Sequence, residues 1–125
     1  MSNNCFCNSQ NTYEDCCQRI HLDPNSAENA EQLMRARYSA FALHLVDFIY
    51  NSFHPSTRRF QKKFEIEQWS KENQWTNLEI IKSTENTVEF KAYYQDPFGE
   101  KRIHHEKSRF QKTQGSWYYV DGKIS

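Results

Sequence analysis

Apolar residues recur at three- and four-residue steps in the second quarter of the chain. This apolar stripe consists of Ala30, Leu33, Met34, Tyr38, Phe41, Ala42 and Leu45. Such a period predicts an amphipathic helix beginning near Ala30, with Asn29 as its N-cap and Gln32 three positions further on. Arg37 lies inside the stripe, whereas Ser39 lies outside it.

A second apolar cluster follows without an intervening glycine or proline. It covers residues 46–53 and ends at His54-Pro55, because a proline disfavours helix at the residue before it. Ser56 and Thr57 are predicted to cap a further short helix, which carries the rings of Phe60, Phe64 and Trp69. The region from about residue 30 to residue 69 is therefore predicted to be mainly helical.

From Trp75 onward, apolar and polar residues alternate between turn-forming stretches. These turns fall at residues 83–86, 96–99 and 114–116. They divide the region into four strands, at about 75–82, 87–95, 101–112 and 116–121. Because the connections are short, consecutive strands should be antiparallel neighbours. The sequence thus predicts an α+β fold in which helices precede a curved four-stranded sheet.

Polar side chains share the core-facing side of the third predicted strand. Phe110 should face the core, and residues two apart share a face, so Ser108, Glu106 and His104 point inward with it. A buried polar group without a partner costs about 1–3 kcal/mol, so these residues imply a hydrogen-bonded network or a hydrated cavity. Arg37 is a counter-charge for Glu106. The prediction is a pocket lined by Arg37, His104, Glu106 and Ser108, although a buried Arg–Glu pair is more commonly a structural tie.

Composition and charge limit the classes of partner. The 125-residue, 15.0 kDa chain has the size of one domain with a short appendage. Sixteen basic side chains balance sixteen acidic ones, so no net field favours non-specific binding to nucleic acid or to an anionic membrane. Residues 1–20 lack a basic start and a long apolar run, and no later stretch has the length of a membrane span. We therefore expect a cytoplasmic protein.

All four cysteines lie in one window near the N-terminus, as Cys5-Phe6-Cys7 and Cys16-Cys17. Residues 1–24 around them are polar and lack a hydrophobic core of their own. Four thiolates form a closed tetrahedral shell around Zn²⁺, and such a metal would order the segment. A reducing compartment favours a metal site over disulfides, although this spacing fits the general zinc rules only loosely. A three-cysteine site completed by His21 and an iron–sulfur cluster stay open as alternatives.

The stretch from Cys5 to Cys17 resembles the SEC-C motif, a zinc-binding element also found at the end of the SecA translocase. In that motif Cys-x-Cys is followed after eight residues by Cys-Cys or Cys-His, which matches this chain. Other stretches resemble the YchJ family of bacterial proteins, namely residues 33–42, 54–58, 105–110 and 117–122. The resemblance implies a SEC-C zinc element over residues 1–24 and a cone-shaped α+β domain, similar to nuclear transport factor two, over residues 25–125.

The chain departs from the family pattern at its glycines. Asn8-Ser9-Gln10 stands where the family usually has Gly-Ser-Gly, and Gln18-Arg19 stands where it has Gly-Pro. Glycine permits turns with positive φ that direct backbone N–H groups toward the sulfurs, and asparagine is the best substitute in that conformation. The four candidate ligands are retained, but the loop residues around them differ from the family pattern. We therefore expect the metal affinity to differ from that of members with the glycines.

Two functions follow from the resemblance. The first is a binding module without catalysis, in which structural zinc orders the SEC-C element for a protein or ribosomal partner and the domain is a scaffold or ligand cup. The second is a small-molecule enzyme of isomerase or dehydratase type, with Glu106 or His104 as acid or base and Arg37 as anion clamp. We prefer the first, and assign no catalytic residue, because a fold says little about a reaction. Cone domains also dimerise through the outer face of the sheet, the predicted location of Lys91, Tyr93 and His105.

Overall fold

Within residues 4–125, the part that the computed structural model describes, the chain forms five α-helices followed by a four-stranded antiparallel sheet. The helices are α1 (Cys17–Leu22), α2 (Ala30–Leu43), α3 (Val46–Ser52), α4 (Pro55–Arg58) and α5 (Lys63–Glu72), with a 3-10 turn at Pro24–Ser26. The strands are β1 (Gln74–Ser83), β2 (Thr87–Gln95), β3 (Lys101–Thr113) and β4 (Ser116–Ile124), paired in that order. The α+β prediction is confirmed. Residues 1–3 of the predicted zinc element lie outside the described residues.

Helix α2 begins and ends at capping residues. Asn29 Oδ1 accepts a 2.8 Å hydrogen bond from the Gln32 backbone N–H, as predicted. Gln32 Oε1 in turn accepts from the Glu28 N–H, one residue before the position used in a reciprocal capping box. His44 ends the helix in the left-handed conformation, with φ of 62°, and so separates α2 from α3 without a glycine. Leu45 therefore lies beyond α2.

The single short helix predicted around residues 56–69 is wrong, because this region forms two helices. His54 caps α4, since its Nδ1 accepts a 3.1 Å hydrogen bond from the Ser56 N–H. Phe60 lies between α4 and α5, and both Phe60 and Phe64 are largely exposed. Of the three rings, only Trp69 packs against other rings of the domain.

Helix α2 is covered on two sides, by the sheet and by the cysteine segment. Leu33 and Tyr38 belong to one buried cluster together with residues of β1, β2 and β3. Ser39, outside the predicted stripe, is also fully buried, because Cys5 packs against it with Sγ 3.6 Å from Ser39 Oγ. Cys7 and the other buried cysteines belong to the same cluster as the helix. The N-terminal segment and the domain therefore share one core.

The faces of β3 alternate as predicted. Glu106, Ser108 and Phe110 are buried and His104 is half-buried. On the opposite face, His105 Nε2 forms a 2.8 Å hydrogen bond with a carboxylate of β2. Within residues 4–125, none of the helices combines the length and apolar character needed to cross a bilayer.

Candidate functional site

A tight loop holds the first cysteine pair. The Cys5 N–H donates a 2.7 Å hydrogen bond to the Asn11 carbonyl, and Asn4 pairs with Thr12 in an antiparallel bridge. These two contacts close the base of a hairpin, and Cys7 lies near its tip. The loop therefore presents two sulfurs from one short hairpin.

Positive φ angles occur at the two loop positions where the family usually has glycine. Asn8 has φ of 62° and Gln10 has φ of 70°. The Asn8 N–H donates to the Cys5 carbonyl at 3.2 Å, which closes the turn around the first pair. Asparagine tolerates this conformation better than glutamine, so Gln10 is the more strained of the two.

The second cysteine pair stands at the start of α1. Cys16 precedes the helix and is partly exposed, whereas Cys17 is its first residue and is fully buried. The sulfurs of Cys5, Cys7, Cys16 and Cys17 all lie within 4.8 Å of one another. Two of the separations are 3.6 Å, between Cys7 and Cys16, and 3.9 Å, between Cys16 and Cys17. A tetrahedral zinc ion with Zn–S distances of about 2.3 Å requires sulfurs about 3.8 Å apart, so the four thiols fit a tetrahedral metal ion.

His21 takes another role. Its Nε2 donates a 2.8 Å hydrogen bond to the Ala36 carbonyl of α2, and its Nδ1 accepts one of 2.7 Å from the Tyr13 hydroxyl. Both ring nitrogens are thus occupied, Nδ1 within the N-terminal segment and Nε2 in fastening that segment to α2. Burial lowers the pKa of His21, which favours the neutral ring that this arrangement needs. The three-cysteine alternative with His21 as fourth ligand does not fit this geometry.

Polar contacts surround the sulfur cluster. Ser9 Oγ lies 3.2 Å from Cys16 Sγ, and Arg35 Nη1 donates a 2.7 Å hydrogen bond to the Cys7 carbonyl. Donation of thiol hydrogen bonds to Cys5 and Cys7 raises the pKa of Cys17. Burial raises the pKa of Cys16 to about 11. The hydrogen bonds that Cys5 accepts, first from Cys17, lower its own pKa. Without a cation, protons therefore remain on Cys16 and Cys17, and a metal ion that binds all four sulfurs must displace them.

A second site lies between α2 and the inner face of the sheet. It is a cavity of about 170 Å³, and its polar lining includes all four residues of the predicted pocket, Arg37, His104, Glu106 and Ser108. The rest of its wall is mainly aromatic and comes from Tyr38, Phe41, Trp69, Trp75, Phe90 and Tyr119. The tryptophans contact each other edge to face, with ring centroids 5.6 Å apart. The cavity thus combines a polar group of side chains with flat apolar walls.

Glu106 accepts hydrogen bonds from three side chains. Its Oε1 lies 2.8 Å from His104 Nε2, and its Oε2 accepts from Ser108 Oγ at 2.5 Å and from the Tyr119 hydroxyl at 2.7 Å. Burial opposes ionisation, but these three hydrogen bonds outweigh it and hold the pKa of Glu106 below its ordinary value. Glu106 is therefore a buried carboxylate at neutral pH.

Arg37 is not the direct partner of Glu106, and the predicted pair is wrong in this respect. Its guanidinium carbon lies 4.0 Å from the ring centroid of Tyr119 and 4.7 Å from that of Phe53, so the charge packs against two rings. Its Nη1 donates to the Ser52 hydroxyl. Tyr119 contacts both charged groups, since its ring packs against Arg37 and its hydroxyl donates to Glu106. Tyr119 pairs with Phe110 in the β3–β4 register, next to a register shift between Arg109 and Phe110 that the sequence does not indicate.

Comparison with known proteins relates both parts of the chain to a bacterial family. The family model described as the YchJ middle NTF2-like domain matches residues 29–122. A UPF0225 protein of Vibrio vulnificus is 41% identical, with 98% of this chain and 75% of the relative covered. A UPF0225 protein of Haemophilus influenzae is 39% identical, with coverage of 98% and 78%.

Two solved structures share the fold and the N-terminal element. The solution structure of a SEC-C motif containing protein from Rhodopseudomonas palustris is 34% identical with a TM-score of 0.90, covering 98% of this chain and 99% of that one. The crystal structure of a SEC-C motif containing protein from Psychrobacter arcticus is 31% identical with a TM-score of 0.77, covering 98% and 83%. The similarity therefore extends across the cysteine segment as well as the domain.

Proposed function

Because this chain belongs to the YchJ family, we propose that its four cysteines form a structural Zn²⁺ site that orders a SEC-C element over residues 1–24 for contact with a protein or ribosomal partner. The observation that carries the proposal is the convergence of four sulfurs within 4.8 Å. Soft thiolate donors in tetrahedral array suit Zn²⁺, and four of them leave no position for a substrate or a water molecule. Zinc here would act in folding and not in a reaction.

The packing of the cysteines supports a role for the metal in positioning the element. Cys5 and Cys17 are buried against α2, so closing the sulfur shell would fasten the loop and α1 to the domain. Phe6, between the first two cysteines, remains 46% exposed and contacts Tyr13 edge to face at 5.8 Å. An apolar ring held at the tip of a rigid loop is suited to protein contact.

The metal assignment is tested by elemental analysis of protein purified without added zinc. We expect about one zinc per chain, its loss in Cys16→Ser, and its retention in His21→Gln as the matched control, because His21 is committed to Tyr13 and Ala36. Protein that contains iron instead, or that is free of metal with all four thiols alkylated under native conditions, contradicts the proposal.

Partner contact is tested separately, by co-sedimentation with ribosomes purified from a bacterium that carries a similar protein, such as Vibrio vulnificus. Wild-type protein should co-sediment and Cys16→Ser should not, since only the ordered element presents the Phe6 loop. A Phe6→Ser variant that retains zinc but loses co-sedimentation would identify the contact. Equal co-sedimentation of all three proteins contradicts a role for the element.

The cavity favours a second function, binding of a small molecule by the domain as a ligand cup. In an isomerase or dehydratase reaction Glu106, ionised at neutral pH, would serve as a base or would orient His104, which is half-buried at 2.8 Å from it. Saturable shifts of the Trp69 and Trp75 indole N–H signals on addition of a small molecule would test occupancy, because both rings line the cavity.

A further inference from the structure

Arg37 is a buried cation whose hydrogen-bonding capacity is only partly used. It is 6% exposed, and burial lowers its pKa to about 10, so it remains charged at neutral pH. Nη1 donates to Ser52 and, at 3.4 Å, to the Ile49 carbonyl. Among residues 4–125, Nε and Nη2 have no acceptor within hydrogen-bond distance, and no carboxylate lies within ion-pair distance of the group. Three of its five N–H donors therefore have no protein partner.

The unused donors lie along one edge of the guanidinium group. Phe53 and Tyr119, whose ring centroids are only 5.3 Å apart, pack on the same side of the guanidinium carbon and do not enclose the group. Nε and Nη2 together form a fork that matches the two oxygens of a carboxylate. Glu106 stabilises the Arg37 charge only through space and without a hydrogen bond, so an anion at this edge would supply the acceptors that the unpaired N–H donors lack.

Glu106 leaves the edge of Arg37 open because its own oxygens already have donors. Ser108 and Tyr119 both donate to Oε2, and His104 bonds to Oε1. Of the two charged groups in the cavity, the carboxylate is thus satisfied by the protein and the guanidinium is not. This difference favours an anionic ligand over a cationic one.

The size and wall of the cavity limit the rest of the ligand. A cavity of roughly 150 Å³ lined by apolar side chains accommodates benzene, and this one has about 170 Å³. Flat rings, including Trp69, Trp75 and Phe90, provide stacking surfaces for a single planar ring. Oε1 of Glu106, with one hydrogen bond, retains an acceptor position for a ring hydroxyl.

We propose that the cavity binds a small single-ring aromatic carboxylate, with the ligand carboxylate on Nε and Nη2 of Arg37 and the ring against Trp69 and Trp75. The inference rests on the second function above, in which the cavity is a ligand site. It is independent of the metal site.

The test compares three probes of one shape and different charge on the full-length protein. Benzoate, benzamide and benzylamine are titrated into ¹⁵N-labelled protein while the indole N–H signals of Trp69 and Trp75 are followed, with Trp117 outside this cavity as internal reference. Benzoate should bind saturably and roughly tenfold to a hundredfold more tightly than benzamide, as expected for a charge-assisted hydrogen-bonded pair. Benzylamine should bind more weakly than either, and 4-hydroxybenzoate at least as tightly as benzoate.

Variants then assign the preference to Arg37. Arg37→Met should abolish the difference between benzoate and benzamide, and Arg37→Lys should keep only part of it because a lysine lacks the fork. Arg109→Met is the matched control, since Arg109 pairs with Asp121 on the surface, and it should bind like the wild type.

Three results would overturn the inference. If benzamide or benzylamine binds as tightly as benzoate, the cavity is a ligand site but the anion assignment is wrong. If the preference for benzoate survives in Arg37→Met, the charge is recognised elsewhere. If none of the probes shifts either indole signal, both this inference and the proposed ligand-cup function of the domain are wrong. The wild-type probe series decides the first and third results even if a variant does not fold.

Discussion

Replacing Gln10 by glycine should strengthen metal binding. Gln10 adopts φ of 70° in the loop between the cysteine pairs. A residue with a Cβ pays about 1–2 kcal/mol in this conformation, whereas glycine loses about 0.5–1 kcal/mol through the greater freedom of its unfolded chain. The balance is a gain of about 0.5–1 kcal/mol, which corresponds to about a twofold to fivefold lower dissociation constant when loop folding and metal binding are linked.

The assay is competition for zinc with a chromophoric chelator at fixed pH. Gln114→Gly is the matched control, because Gln114 also has a positive φ, of 51°, but lies in the β3–β4 turn. That variant should raise the melting temperature of the domain and leave zinc affinity unchanged. Equal or weaker zinc affinity in Gln10→Gly would refute the reasoning, since it would mean that the metal-bound loop carries no conformational cost at this position.

Three further predictions concern the contacts between the parts of the molecule. Cys17→Ser should release the metal and lower the free energy of unfolding of the whole chain by about 1–3 kcal/mol in urea denaturation, because Cys17 belongs to the core of α2; unchanged stability would instead favour two independent units. The free energy of unfolding should fall as the pH drops below the ordinary histidine pKa of 6.5. Burial lowers the pKa of His21 in the folded state, so the unfolded chain takes up the proton first. If the free energy of unfolding of His21→Gln depends on pH as steeply as that of the wild type, this prediction is wrong. Gly122→Ala should cost about 1–3 kcal/mol by thermal denaturation, because an added Cβ would overlap the Glu106 carboxylate, and a wild-type melting temperature would show that the carboxylate can move aside.

Local patterns are sufficient for α2, for the four strands and for the set of four sulfur donors, but not for the division of residues 55–72 into α4 and α5. The alternation on β3 depends only on the two-residue period of a strand, so the sequence alone places His104, Glu106 and Ser108 on one face. The N-cap at Asn29 needs only its own neighbours in the chain. Four soft donors at SEC-C spacing likewise indicate a metal site within one short segment, without knowledge of the domain.

Contacts between elements were decided by the tertiary structure. The burial of Ser39 depends on where the cysteine loop docks on α2, and the use of His21 depends on the distance from α1 to the Ala36 carbonyl. The separation of Arg37 from Glu106 by Tyr119 depends on the β3–β4 register and on side-chain conformations of three elements. Periodicity states which face a residue occupies, whereas the partner of a buried charge is set by distances of a few ångströms between elements that are far apart in the chain. For this protein, the sequence alone therefore determined that helices precede four strands and that four cysteines lie in one short segment, and only the folded structure decided that Arg37 retains free donors at the cavity.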